Sequence, residues 1–331
     1  MSVPKFVIVI ICTFSAGVLN IYSQVDSTYI GFFEQEFAIR PYFLDKYTAL
    51  SHETEDGKET IYRPNDPYAL GIGFTYKGIS LSGAYGFGFM RDKKRGKTKS
   101  LDFQYHYYGR KFVMDLFFQN YKGFFVEDEG NDKKVHNDDI YHLYPDIRLE
   151  QYGGFAQYIF NGNKFSYQAA FNQNEKQLKS VGSFLLGGGI YYNRARSDSS
   201  LLFNDKSELD NFQFGVSGGY AFTWVINKRV YISASMSVGA NVGVDHSGEK
   251  DKWKVYPTMF PRISAGYNHD NWSLGVSFVN NRIYILHSEQ SKMSFDTGAL
   301  QFSFTRRFGK APKFLEKNQK IIDTYNHYKF W

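Results

Sequence analysis

From Val230 to Val244 the chain alternates without a break. Val230, Ile232, Ala234, Met236, Val238, Ala240, Val242 and Val244 fall on one parity, and Tyr231, Ser233, Ser235, Ser237, Gly239, Asn241 and Gly243 on the other. Two is the side-chain period of a strand, so this run predicts one apolar face and one small or polar face. At fifteen residues it is long for a strand of a soluble domain. The preceding run has the same form: Phe212, Phe214, Val216, Gly218, Tyr220, Phe222 and Trp224 alternate with Asn211, Gln213, Gly215, Ser217, Gly219, Ala221 and Thr223.

Turns between such runs test the pattern, because a slip of one residue puts every side chain on the wrong face. Five hairpins place apolar opposite apolar. A turn at Lys77-Gly78 sets Tyr76 against Ile79, Phe74 against Leu81 and Leu70 against Tyr85. A turn at Gly109-Arg110 sets Tyr107 against Phe112, Tyr105 against Met114 and Phe103 against Leu116. Gly162-Asn163, a favoured hairpin pair, sets Phe160 against Phe165, Tyr158 against Tyr167 and Ala156 against Ala169. Around Ile226 to Lys228, Trp224 meets Val230 and Phe222 meets Ile232; with His269-Asp270 as the turn, Tyr267 meets Trp272, Ala265 meets Leu274 and Ile263 meets Val276.

The remaining connections are long and polar, at about 53 to 60, 91 to 98, 124 to 146, 194 to 210, 245 to 259 and 285 to 298. Short turns at one rim, long loops at the other and alternating segments of roughly ten residues between them describe an all-β, antiparallel transmembrane β-barrel of the outer-membrane type. The apolar faces meet lipid and the polar faces line the inside, with Tyr and Phe near strand ends as interfacial girdles. The segments give about twelve strands, within a range of ten to fourteen. Parity leaves a difficulty between 174 and 210, because the runs at Phe165 to Asn172 and Ser183 to Tyr192 both lead outward if every short turn is periplasmic. An aromatic content of 19% excludes disorder, and no set of apolar stretches supports a polytopic helical membrane protein.

The ends predict processing and assembly. Lys5 and the 14-residue, largely apolar stretch Phe6 to Leu19 form the n- and h-regions of a signal peptide ending near residue 23, too short for a bilayer span; an uncleaved anchor is the other reading. The only cysteine, Cys12, lies in that leader, so the mature chain carries no disulfide, thiolate metal site or cysteine nucleophile. The chain 24 to 308 is then the barrel, closing on LQFSFTRRF with Leu300, Phe302, Phe304 and Phe308, the form of a terminal strand read by the outer-membrane assembly machinery. Residues 309 to 331 are a basic tail with Phe314, Ile321 and Tyr325 at helix-like spacing, although Phe330-Trp331 also suits a final strand.

Three stretches carry a family resemblance: GKTKSLDFQYHYYGRKFVMDLFFQNYKGFF from Gly96 to Phe125, the segment from Tyr144 to Tyr192 that begins YPDIRLEQYGGFAQYIF, and VYPTMFPRISAGYNHDNWSLGVSFVNN from Val255 to Asn281. They resemble the domain-of-unknown-function family 4421, exported proteins of Bacteroidota. The resemblance runs from about Phe37 to Phe308 and implies a barrel in a Gram-negative outer membrane. It implies no catalytic or ligand residue.

Candidate chemistry is sparse. The 109-110 hairpin puts Gln104 opposite Asp115 with His106 diagonal to both, and Asp102 and Gln119 on the same inner face. These five residues are the expected lumen lining, as a polar network filling the barrel or as the wall of a passive pore for ions or small solutes. A catalytic role for His106 needs a partner serine that no register supplies, so no catalytic residue, cofactor or metal is expected. The serines 233, 235 and 237 read as lumen filling, and Gly83, Gly86, Gly88 and Gly187 to Gly189 as places of bending or close packing.

The basic loop Arg91, Lys93, Lys94, Arg95, Lys97 precedes an acidic one with Glu127, Asp128, Glu129, Asp132, Asp138 and Asp139, which lacks calcium-loop spacing. The two loops pair, bridge lipopolysaccharide, in the acidic case hold a divalent cation, or are simply solvated. A net charge of +6 without an isolable basic face gives no case for nucleic acid. Expected partners are outer-membrane lipid, lipopolysaccharide and the assembly machinery. The expected function is a passive pore, with a filled barrel acting as surface scaffold or adhesion protein as the alternative and a lipid-modifying enzyme third.

Overall fold

The computed structural model describes residues 25–76, 79–128, 141–198, 207–246, 253–287 and 291–310. The leader, the acidic run beyond Asp128 and the tail beyond 310 therefore lie outside the described residues. Strands dominate: β1 (Ile30–Phe32), β2 (Phe37–Thr54), β3 (Glu59–Arg63), β4 (Ala69–Tyr76), β5 (Ile79–Gly86), β6 (Lys99–Tyr108), β7 (Phe112–Asp128), β8 (Leu143–Ile159), β9 (Glu175–Gln177), β10 (Val181–Arg196), β11 (Glu208–Val225), β12 (Val230–His246), β13 (Trp253–Asn268), β14 (Trp272–His287) and β15 (Ser291–Phe308). No described helix is long and apolar enough to cross a membrane, and the strands make the crossing.

All but β1 and β9 belong to one antiparallel sheet. It closes where β15 pairs β2, from Phe308 against Phe37 to Ser291 against Thr54. The closed ring runs through ten strands, within the expected range: β2, β3, β7, β8 and β10 to β15. β4, β5 and β6 extend the sheet beside it, β4 and β5 from the lower half of β2 and β6 from β7. The terminal run behaves as expected, with Phe302, Phe304 and Phe308 exposed on the outer face and Arg307 buried inside.

Faces follow the alternation. Ile232, Met236, Val238 and Val242 are exposed on the outer wall of β12, while Tyr231, Ser233, Ser235, Ser237 and Asn241 are buried inside. Registers follow it less closely. Tyr76 pairs with Ile79, as expected, and residues 77 and 78 between them lie outside the described residues. In three other hairpins the pairing moves by two residues: Tyr107 meets Met114, Trp224 meets Ile232 and Tyr267 meets Leu274. The turns there are longer than the tightest reading, and a shift of two preserves every face.

The fifth hairpin does not form. After Ile159 the chain turns into the lumen, so Phe165, Tyr167, Ala169, Ala170 and Phe171 are buried inside rather than paired with β8. The segment supplies its own bonds: β9 pairs β1, the Ser166 hydroxyl accepts from Ala169 N at 3.0 Å, and Gln177 Nε2 donates to Tyr29 O and Lys164 O. Residues 160 to 180 thus plug the short-turn end, β8 leads into that end and β10 leaves it. The parity difficulty disappears.

Side chains cross the lumen at three levels. At the opposite end Leu50, Tyr121, Ile147, Leu209, Ile285 and Phe295, from six different strands, meet in one buried cluster. In the middle Phe117, Phe155, Tyr191, Phe260 and Ile283 meet, and the rings of Phe155 and Phe260 stack at 4.2 Å although three strands separate β8 from β13 on the shorter path. At the short-turn end the plug packs on Val113, Ile159, Leu185, Ala221 and Tyr231.

Two glycine positions show close approach. At Gly123 the φ is +93° and a side chain would run into Lys97 O; this bulge lets β7 pass from pairing β6 to pairing β3. Gly187 and Gly188 face the carbonyls of Ala156 and Gly215, which agrees with close packing in the strand.

Candidate functional site: the inner polar wall

β6 and β7 are neighbours, so their inward rows form one polar strip. His106 stands directly opposite Asp115, Asp102 opposite Gln119, and Gln104 opposite Phe117. The expected Gln104–Asp115 facing pair is therefore corrected to His106–Asp115, by the same two-residue shift that moved the turn. All five expected lining residues lie on this inner face, gathered around two carboxylates.

Asp115 is the deeper one, at 2% exposure. Its Oδ1 lies 2.8 Å from His106 Nδ1, and its Oδ2 accepts from Arg262 Nη2 at 2.5 Å. Arg262 reaches it from β13, its guanidinium 5.4 Å from the centre of the Phe155 ring and 5.8 Å from that of Tyr108. A carboxylate and a guanidinium both removed from water stay charged only because each neutralises the other.

Asp102 is the second centre. Lys46 Nζ lies 3.3 Å from it, Tyr121 Oη donates at 2.9 Å, and the side-chain amides of Gln104 and Gln119 donate at 3.1 and 3.2 Å. The row continues around the barrel. Gln151 donates to Asn193, Asn193 to Asn211, Asn241 to Gln213, and Gln213 to Asn211. Ser233 bonds Thr223 and Ser237 donates to Gln157, so these serines fill the lumen as expected.

Sequence reasoning missed Lys46, Tyr121 and Arg262 at this site, and Arg40 and Arg307 at the plug. Arg40 Nη1 donates to Phe171 O and Asn172 O, and Arg307 Nη2 donates to Gln173 O at 2.6 Å. Glu175 of the plug pairs with Arg110. Outside the wall, Lys176 donates to Asp270 in the β13–β14 turn at 3.2 Å and holds that carboxyl below its ordinary range. Each missed arginine sits in the inward row of its strand, which alternation alone identifies. Its partner across the lumen depends on closure. Of the acidic loop, Glu127 pairs with Arg63 of β3 at 2.7 Å, and of the basic loop, Arg95 lies over the rings of Phe125 and Tyr141.

The family model "Domain of unknown function (DUF4421)" matches residues 24–308. No curated protein matches the chain. Among solved structures, the outer membrane protease OmpT from Escherichia coli is 8% identical, with 83% of this chain and 98% of that one covered at a TM-score of 0.32. The translocator domain of autotransporter NalP from Neisseria meningitidis is 8% identical over 82% and 88%, at 0.33. The P. putida toluene transporter TodX is 8% identical over 83% and 91%, at 0.27. Likeness at this level carries no argument about role.

Proposed function

The chain belongs to the DUF4421 family, and from that premise we propose that it is a filled, non-conducting outer-membrane β-barrel that serves as a surface scaffold through its long outer loops. Export through the leader at 1 to 23, insertion by the assembly machinery from the terminal LQFSFTRRF, and contact with lipopolysaccharide complete the proposal. It includes no reaction.

The observation that supports it is the stack of Phe155 on Phe260 across the lumen, with an apolar cluster above and the plug below. A water-filled pore needs a continuous polar path, and these layers interrupt it. The competing pore has Asp102, Gln104, His106, Asp115 and Gln119 as its lining.

Planar-bilayer recording of the full, folded chain separates the two. We expect no steps while inserted protein is verified by its heat-dependent gel mobility. Reproducible ohmic steps would reinstate the pore, and Asp102→Ala with Asp115→Ala would then have to alter its ion selectivity.

A further inference from the structure

The outer wall changes character along β6, β7, β8 and β10, and their ladders fix the order of its rows. Tyr105, Leu116 and Ile190 share one outward row and are exposed. One step toward the long-loop end comes an aromatic row, Phe103, Phe118, Tyr152 and Tyr192, with ring centres 4.7 Å apart for Phe118 and Tyr152 and 6.0 Å apart for Tyr152 and Tyr192. Glu150 and Arg194 stand in the next row, and beyond them Lys99, Lys122, Arg148 and Arg196 lie side by side. Apolar, then aromatic, then charged is the profile of strands leaving hydrocarbon, so this last row stands at the height of lipid head groups.

Like charges directly opposite each other destabilise a sheet, and here they recur: Lys99 faces Lys122, Lys122 faces Arg148, and Arg148 faces Arg196. Other ladders set opposite charges face to face, as Arg282 with Asp296 at 2.6 Å and Lys292 with Glu53 at 3.0 Å. The carboxylates beside the row are already engaged. Glu208 is held by Arg194 and by Arg196 at 3.2 Å, Asp210 by Arg194 and the Tyr192 hydroxyl, each at 3.0 Å, and Glu150 accepts from the Tyr152 hydroxyl at 3.4 Å. Glu127, on the same strand as Lys122, goes to Arg63. Lys99, Lys122 and Arg148 form no ion pair among the described residues, and Lys99 and Arg148 are exposed.

Unmatched cations on a wall that faces lipid call for an anion that arrives with the lipid. Phosphate suits them, because a guanidinium grips two of its oxygens at once and the flanking ammonium groups add point charges. The acyl chains of such a lipid have the apolar and aromatic rows below to lie against. The row points outward from the wall, away from the lumen, which favours a lipid phosphate over the carboxylates of the chain's own acidic loop.

We infer that Lys99, Lys122 and Arg148 form a binding site for the phosphorylated lipid anchor of lipopolysaccharide, with a phosphate on the three cations and acyl chains against Phe103, Phe118 and Tyr152. This rests on the lipopolysaccharide contact proposed above and assigns residues to it.

The test titrates the full chain, folded in detergent, with lipid A carrying both phosphates, and counts bound lipid by native mass spectrometry. We expect saturable binding by the parent, and binding at least about tenfold weaker when Lys99→Gln, Lys122→Gln and Arg148→Gln are combined. Lys111→Gln, Lys179→Gln and Lys228→Gln together remove the same charge at the short-turn end and should leave binding unchanged. Heat-dependent gel mobility verifies folding. Without lipid, the first triple variant should resist urea at least as well as the parent, because it loses like-charge contacts. A lower urea midpoint would show that these cations serve the wall itself and would overturn the site, as would equal affinity for fully dephosphorylated lipid A or equal losses in the two triple variants. Binding that survives the first triple variant would leave the lipopolysaccharide contact standing and overturn only its position. A parent that binds no lipid A would overturn both, and recovery of binding by Asp132→Asn, Asp138→Asn and Asp139→Asn would then assign the row to the chain's own acidic loop.

Discussion

At the residue scale, the most consequential contact is Arg262 with Asp115. Their neighbours are aromatic rings, so neither charge has water to return to when its partner goes. Removing one half of a buried pair costs about 3–5 kcal/mol, whereas replacing both with apolar groups is often neutral. Arg262→Met is therefore expected to destabilise the barrel by about that amount in urea unfolding from vesicles, and Asp115→Leu added to it should recover most of the loss. A single mutant as stable as the parent would show that the pair is solvated. Arg262 was legible as an inward residue, because it shares parity with Phe260 and Ser264 on β13. Its partner was not legible, because Asp115 lies 147 residues away in the chain.

At the element scale, the plug decides how the short-turn end of the barrel is closed. Its alternating sequence Phe165, Tyr167, Ala169, Phe171 is that of a strand, and nothing local separates it from one. Fixed donors in the wall tip the balance: Arg40, Arg307 and the Tyr231 hydroxyl each bond a plug carbonyl. Those carbonyls have no strand partner once the chain has turned inward, and a buried acceptor left unpaired costs about 1–3 kcal/mol. Arg40→Met with Arg307→Met should loosen the plug and leave the sheet intact. The expected result is cleavage between 161 and 178 that is at least about tenfold faster in limited proteolysis, with unchanged far-ultraviolet circular dichroism. Protection equal to that of the parent would place the plug's stability in its apolar packing alone.

At the scale of the whole molecule, filling is distributed. Three layers close the lumen, so opening one should not create a channel. Phe155→Ala with Phe260→Ala removes the middle stack. Each truncation is expected to cost about 3–5 kcal/mol, while bilayer recordings remain silent. Conductance in that double variant would show that the middle layer is the sole barrier.

The amino-acid sequence determined the faces, the antiparallel barrel, its closing strand and the inward position of Asp102, Gln104, His106, Asp115 and Gln119. Alternation is a local property, and each residue reports its own side of the sheet whatever its partner. The tertiary structure decided what parity cannot encode. Shifts of two residues leave every face unchanged, so only the formed turns selected His106 over Gln104 as the partner of Asp115. Closure of the ring decided which inward residues meet across the lumen, bringing Arg262 to Asp115 and Phe260 to Phe155. The plug belongs to the same class, because it arises from competition among distant hydrogen-bonding partners that no window of sequence contains.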